Sequence, residues 1–313
     1  MNSAQARERW TTRSLWLSML AAMLLGGCAT PRQVTLESDN KDSRVAVIVV
    51  HHTSSDFGES VRLLTERSQR PVSAHYLIPE PGDPSYRDTE LNVYSLVPET
   101  ERAWHAGDSH WKGLNQLNNV SIGIELVNRT YCHIPEDEII NAERDWPDEA
   151  LCFYPDFDDG QLELLVELLD ELKKRHVRVA PTHIVGHSDI APHRKIDPGP
   201  RFPWQRLHRL GHGAWYDDAT VARYWEQFRT HMPSIGQVQA ALAAYGYRIE
   251  QSNEPDLQTA QVLRAFQMHF LPWKVTGESD PETAAVLHAL LEKYYPDELP
   301  GTLGAEGSSA PNE

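Results

Sequence analysis

Five residues could do chemistry together: His51, Glu125, His187, Lys195 and Asp197. Three of them fall in one stretch, Gly186–Gly199 (GHSDIAPHRKIDPG), with Lys195 two positions before Asp197. Pro192 and Pro198 keep this stretch from being a regular helix or a central strand, because each removes a backbone donor and fixes its own φ. A Pro-punctuated loop can hold side chains in a fixed spread. Two His and one Asp form a zinc ligand set that leaves a tetrahedral position open. Water at such a position is acidified and becomes a nucleophile at neutral pH. Glu125 would accept the water's proton, and Lys195 would offset the charge developing on an attacked carbonyl. With one Zn2+ per chain, this is a kit for hydrolysing an amide.

The surrounding elements place these residues. Arg44–Val50 (RVAVIVV) is a continuous β-branched run, the pattern of a strand buried on both faces. It runs into His51-His52-Thr53, and ligands of open α/β sheets gather beyond the carboxyl ends of strands. Val120–Asn128 (VSIGIELVN) alternates: Ile122, Ile124 and Leu126 share one face, and Ser121, Gly123, Glu125 and Val127 the other. Gly123 leaves room beside Glu125, whose carboxylate is expected to be partly buried with a raised pKa. Short strands are expected at Ala74–Ile78, Asn92–Val97 and His183–Gly186, the last delivering His187. Helices are expected at Glu59–Ser68 and at Gln161–His176, the latter capped by Asp158 or Asp159. Trp204 opens another short helix. Residues 208–233 read as a connector whose Trp215, Tyr216 and Trp225 serve packing. Residues 234–295 read as a compact unit of three helices, the last opened by Asp280 as cap and Pro281 in the first turn. Residues 297–313 are rich in Gly, Ser, Pro and Glu and are expected to be disordered.

The termini and composition set the context. Arg7, Arg9 and Arg13 precede an apolar run, Leu15–Leu25, which leads into Gly26-Gly27-Cys28. That is a secretory leader over residues 1–27, with an apolar run too short for a comfortable membrane span. Cys28 after two small residues resembles a bacterial lipobox, so Cys28 would become the lipidated first residue (acyl chains such as palmitate) and residues 28–43 a tether. Ala29, rather than Asp, at the next position favours the outer membrane by the same resemblance, with the protein facing the periplasm. The leader holds three Arg and one Glu, so the mature chain is two charges more negative than the full chain's −16. No basic patch invites nucleic acid. Cys132 and Cys152 remain; in an oxidising compartment a disulfide between them is favoured over a Cys-based zinc site, to which only His133 is adjacent.

Six pieces in order, VIVVHHT, SAHYLI, AWHAG, SIGIELVN, YPDFDDGQ and GHSDIAPHRKIDPGPRFPW, closely resemble the type-2 zinc-dependent N-acetylmuramoyl-L-alanine amidases, especially their outer-membrane lipoprotein branch. The resemblance implies an α/β domain over residues 44–210, a mixed central sheet flanked by helices. The segment over 234–295 resembles the all-α peptidoglycan-binding domain often fused to these enzymes. The resemblance also implies zinc ligands at His51, His187 and Asp197, a catalytic Glu125, an oxyanion-stabilising Lys195, and cleavage between N-acetylmuramic acid and L-alanine. Trp104, His105 and Asn119 are expected to contact substrate. His75 is expected to be structural, and His193 to face solvent. Peptidoglycan or muropeptides are the expected partners, the membrane is reached through the lipid alone, and a monomer is expected.

Two rivals remain. His187-Ser188-Asp189 also reads as half of a two-His-one-carboxylate iron site. That model leaves Glu125, Lys195 and Asp197 unexplained. A non-catalytic peptidoglycan-binding lipoprotein is the other, and the complete set of ligands, Glu and Lys argues against it.

Overall fold

His51 and Glu125 lie on, and His187 just beyond, a five-stranded mixed sheet in this computed structural model, which describes residues 34–36, 38–40, 43–133 and 151–299. The proposed leader, Cys28 and most of the tether lie outside the described residues, as do residues 300–313 of the expected tail. The chain divides into two units, Met1–Asp42 and Ser43–Glu313, and the sheet, the helices and the site all belong to the second.

In chain order the strands are β1 (Val47–His52), β2 (Tyr76–Ile78), β3 (Tyr94–Ser95), β4 (His110–Trp111), β5 (Leu114–Asn115), β6 (Ser121–Leu126), β7 (Tyr131–His133), β8 (Leu151–Phe153) and β9 (Ile184–Gly186). The described helices are α1 (Phe57–Thr65), α2 (Asp159–Arg175), α3 (His187–Ile190), α4 (Trp204–Arg209), α5 (Asp218–Phe228), α6 (Ile235–Tyr245), α7 (Leu257–Phe270) and α8 (Pro281–Tyr294). The sheet order is β3-β2-β6-β1-β9, with β4-β5 and β7-β8 as separate hairpins. β1 runs parallel to both β6 and β9, and β2 parallel to β6; β3 is antiparallel to β2. Parallel strands end at the same edge, which is how residues far apart in sequence come together.

Side-chain alternation sends the two faces of β2 to different cores. Tyr76 and Ile78 enter the main core, whereas Leu77 joins Leu64, Ala74 and Val127 in a smaller cluster with Phe57 and Val61 of α1 packed against it. α2 forms because Leu162, Leu165, Leu168, Leu169 and Leu172 recur at helical spacing and all are buried. Asp158 caps it by accepting from Gly160 N, and Lys173, Lys174 and Arg175 sit in its last turn, where cations complement the dipole. α8 begins as expected, with Asp280 accepting from Thr283 N and Pro281 in the first turn.

Three expectations change. The stretch after β9 is not all loop: His187–Ile190 makes one helical turn, because Pro192 and Pro198 both lie beyond it. The stretch read as a connector contains α5, whose Tyr224 and Phe228 are buried against Ala284, Ala285 and Ala289 of α8; α5 therefore joins the three expected helices. Of the aromatics assigned to packing, Trp215 is buried but Trp225 is 41 % exposed. The α-helical segment also shares its core with the sheet, since Tyr245, Tyr247 and Phe270 belong to the same buried cluster as Trp111 and Trp204. Among the described residues no helix is long and apolar enough to cross a membrane.

Candidate active site

The carboxyl edge of the sheet assembles the site. His51 pairs in register with Glu125 across the parallel β1–β6 ladder, so their side chains stand next to each other on one face. Val50 pairs with Gly186 at the end of β9, which puts His187 one step beyond the same edge. The return of the chain after α3 then brings Asp197 back, tied by Ser188 N donating to Asp197 O at 2.8 Å. Three ligand atoms converge: His51 Nδ1 is 3.0 Å from His187 Nδ1 and 3.0 Å from Asp197 Oδ2, and His187 Nδ1 is 3.2 Å from that oxygen. All three residues are buried.

Hydrogen bonding behind the rings fixes which nitrogens face inward. Ser121 Oγ donates to Leu117 O at 2.6 Å, so it accepts from His105 Nε2 at 3.1 Å. The Nδ1 of His105 is then an acceptor and takes the proton of His51 Nε2 at 3.0 Å. His187 Nε2 donates to Ala106 O at 3.3 Å. Each ligand histidine is left with a bare Nδ1, and these two lone pairs meet a carboxylate oxygen. Burial pushes His187 down to about 4, against the opposing pull of Asp197, so its ring is neutral at neutral pH. Burial would raise the Asp197 carboxyl, but its close contacts with the His187 and His51 rings hold it well below the usual range. Converging lone pairs without a proton between them suit a divalent cation, and two imidazoles with one carboxylate suit zinc.

Glu125 stands beside this cluster. Its Oε2 is sealed from solvent with no hydrogen-bond partner among the described residues. Burial raises its pKa, helped by Asp197 and opposed by His51 and Lys195. A carboxylate so placed is poised to take up a proton. Glu125, Lys195 and the ligands line one cleft of about 480 Å³, whose walls include Leu63, Val72 and the 46 %-exposed Trp104. The rim carries the β7–β8 hairpin, where Cys132 and Cys152 are register partners and form the expected disulfide.

The other expected substrate contacts fare differently. His105 lines the cleft, yet both ring nitrogens are committed to His51 and Ser121, which makes it a support for a ligand. Asn119 is misplaced: it precedes β6, at the end of the strand opposite Glu125. There its Oδ1 accepts from Arg102 and its carbonyl from Arg44. Its neighbour Asn118 matters more, because its Oδ1 accepts from the backbone N–H of both His105 and Ala106 and so holds the Trp104–Gly107 turn. Arg194, which sequence reasoning passed over, donates to Ala106 O and Asp108 O and locks the same turn. His75 is structural as expected, its Nδ1 accepting from Gly123 N at 3.0 Å. His193 is half-buried, not fully solvent-facing. His52 turns away from the cluster to Ser54 and Thr130. Asp189, the carboxylate of the iron reading, bonds Gly186 N and Tyr247 and is not among the converging ligands.

Comparison with known proteins gives the family. A family model described as N-acetylmuramoyl-L-alanine amidase matches residues 41–200, and one described as a putative peptidoglycan binding domain matches residues 231–287. The N-acetylmuramoyl-L-alanine amidase AmiD of Escherichia coli (strain K12) is 38 % identical over 297 residues, spanning 91 % of this chain and 99 % of that one. The crystal structure of AmpDh3 from Pseudomonas aeruginosa in complex with anhydromuramic pentapeptide is 40 % identical, with a TM-score of 0.73 over 86 % of this chain and 99 % of that one. The structure of Escherichia coli AmiD with the substrate anhydro-N-acetylmuramic acid-L-Ala-D-gamma-Glu-L-Lys is 36 % identical, with a TM-score of 0.67 over 85 % of this chain and 94 % of that one. The chain belongs to the N-acetylmuramoyl-L-alanine amidase family.

Proposed function

We propose that this protein is a zinc-dependent hydrolase of the amide between N-acetylmuramic acid and L-alanine, acting on peptidoglycan and on its fragments, 1,6-anhydromuramyl peptides included. The observation that carries the reading is the convergence of His51 Nδ1, His187 Nδ1 and Asp197 Oδ2 beside a buried Glu125 oxygen that has no partner among the described residues. His51, His187 and Asp197 would hold the zinc, which when bound supplies Lewis acidity to the attacked carbonyl and to water. Glu125 takes the proton of the attacking water and returns it to the alanine nitrogen as the C–N bond breaks. Its raised pKa suits both transfers. Lys195 sets its ammonium against the charge that gathers on the carbonyl oxygen. The Trp104, Leu63 and Val72 wall offers apolar surface to the sugar and peptide flanking the bond.

The segment matched by the peptidoglycan-binding model supports wall binding by residues 231–287. The leader sequence and Cys28 support a lipid-anchored protein of the outer membrane that faces the periplasm. The test of activity is to incubate purified protein with muropeptides, anhydro and ordinary, and with intact sacculi. Mass spectrometry should find free stem peptide, and a chelator should abolish it. Absence of stem peptide in the presence of zinc would reject the reading in favour of a binding protein.

A further inference from the structure

Asp189 lies two residues after His187 and is 1 % exposed, yet it faces away from the ligand cluster. Both of its oxygens are filled. Oδ2 accepts from Gly186 N at 2.8 Å and from His269 Nδ1 at 2.7 Å, and Oδ1 accepts from the Tyr247 hydroxyl at 2.6 Å. Gly186 is the N-cap of α3, the single turn that opens with His187, and Asp189 is its third residue. One turn cannot hold itself, since it fixes several backbone dihedrals for one hydrogen bond. Here that bond is Ala191 N to His187 O, at 3.0 Å. The turn is held from outside instead: Ser188 N binds the chain at Asp197, and Asp189 is gripped by Tyr247 and His269.

Both grips come from the C-terminal helical segment. His269 belongs to α7 and is stacked between Trp204 (ring centroids 3.9 Å apart, 14° between planes) and Phe270 (4.0 Å, 14°). Its Nε2 is buried without a partner among the described residues, so Nδ1 carries the proton and donates it. Tyr247 follows α6, is 2 % exposed and packs edge-on against Trp111, whose Nε1 in turn donates to Thr182 O just before β9. A buried carboxylate with three donors, two of them on packed rings, leaves little freedom to the turn it caps.

We propose that His269 and Tyr247 are positioning residues for the metal ligand His187, acting through Asp189, so that the helical segment completes the active site as well as binding the wall. The proposal rests on the zinc-amidase reading above. Its test uses the full chain with His269→Leu, His269→Asn and Tyr247→Phe. For each, zinc affinity is measured by competition with a chromogenic chelator, kcat and KM on a muropeptide, and pelleting with sacculi. His269→Leu and Tyr247→Phe should each weaken zinc binding by roughly tenfold, the lower end of what outer contacts of metal sites contribute. The loss of activity should appear in kcat with KM nearly unchanged, and pelleting with sacculi should stay at the wild-type level. His269→Asn places an amide N–H where Nδ1–H stood and should recover most of both. Wild-type zinc affinity and kcat in His269→Leu would overturn the proposal, as would an Asn variant as impaired as Leu. Should His269→Leu fail to fold, Tyr247→Phe, which removes one oxygen, decides alone. A wild-type chain that binds no zinc would instead overturn the zinc reading, and that result is seen before any variant is compared.

Discussion

Glu125 is held in a place that suits a proton carrier and not a stable carboxylate. Replacing it with Gln should leave zinc bound, because none of the ligand atoms is its own, and should lower kcat by ~10²–10⁴, the range of a lost general base. Metal content and single-turnover rates check this; activity near wild type would move the base elsewhere. The same burial predicts a stability effect of definite sign. The folded-state pKa of Glu125 is raised, so its contribution to folding is favourable only while it is protonated and is lost as pH rises through that pKa. In chelator-treated protein at pH 7, Glu125→Gln should therefore melt a few degrees higher than wild type, and the gap should close in acid below the ordinary carboxylate range. Melting curves across pH read this directly. His51, Glu125, His187, Lys195 and Asp197 were legible because strand ends and a Pro-punctuated loop announce where polar residues can meet. The support role of His105 was not, since it depends on proton direction through Ser121 and Leu117, which no spacing reveals. Asn119 was misread because its place before β6 was not weighed against the rule that sites form beyond the carboxyl ends of parallel strands.

At the scale of elements, β6 shows how a backbone position can serve a ligand. A Cβ at Gly123 would fall 2.4 Å from Cγ of the His105 ring, far inside van der Waals contact. The sequence suggested that Gly123 leaves room near Glu125; the room is filled by His105, which lies across the strand to reach His51. Gly123→Ala should push that ring off His51. It should destabilise the fold by about 1–3 kcal/mol, as overpacking does, and weaken zinc binding more than a surface substitution of equal stability cost. Chemical denaturation and chelator competition together separate the two effects. Equal zinc affinity at lower stability would mean that His51 does not need His105. Helix caps were readable at Asp158 and Asp280, whose side chains announce a helix start; Ser234 and Asp256 cap α6 and α7 in the same way but were not singled out. The strands came out shorter than their apolar runs. α5 was missed because Trp225 was counted as a connector aromatic and Tyr224 and Phe228 were not weighed; only contact with α8 gives those two a buried setting.

For the whole molecule, charge and anchor act in opposite directions. Residues after the proposed cleavage carry two more negative charges than the −16 of the full chain, so an anionic membrane surface repels them and offers no electrostatic hold. On the proposed lipoprotein reading, membrane attachment comes from acyl chains on Cys28, each buried CH₂ contributing about 0.8 kcal/mol. The peptidoglycan-binding segment confuses the simple assay, because a protein bound to sacculi sediments with envelopes even when it is unanchored. The informative preparation is therefore one of envelopes whose sacculus has been digested with a glycosidase. Wild-type protein should remain with the membrane pellet until detergent is added, whereas Cys28→Ala should move almost wholly to the supernatant. In undigested envelopes both should sediment. Cys28→Ala protein that still pellets after digestion would show that something other than the lipid holds it, and the site would then have to be brought to its polymer by another surface of the chain.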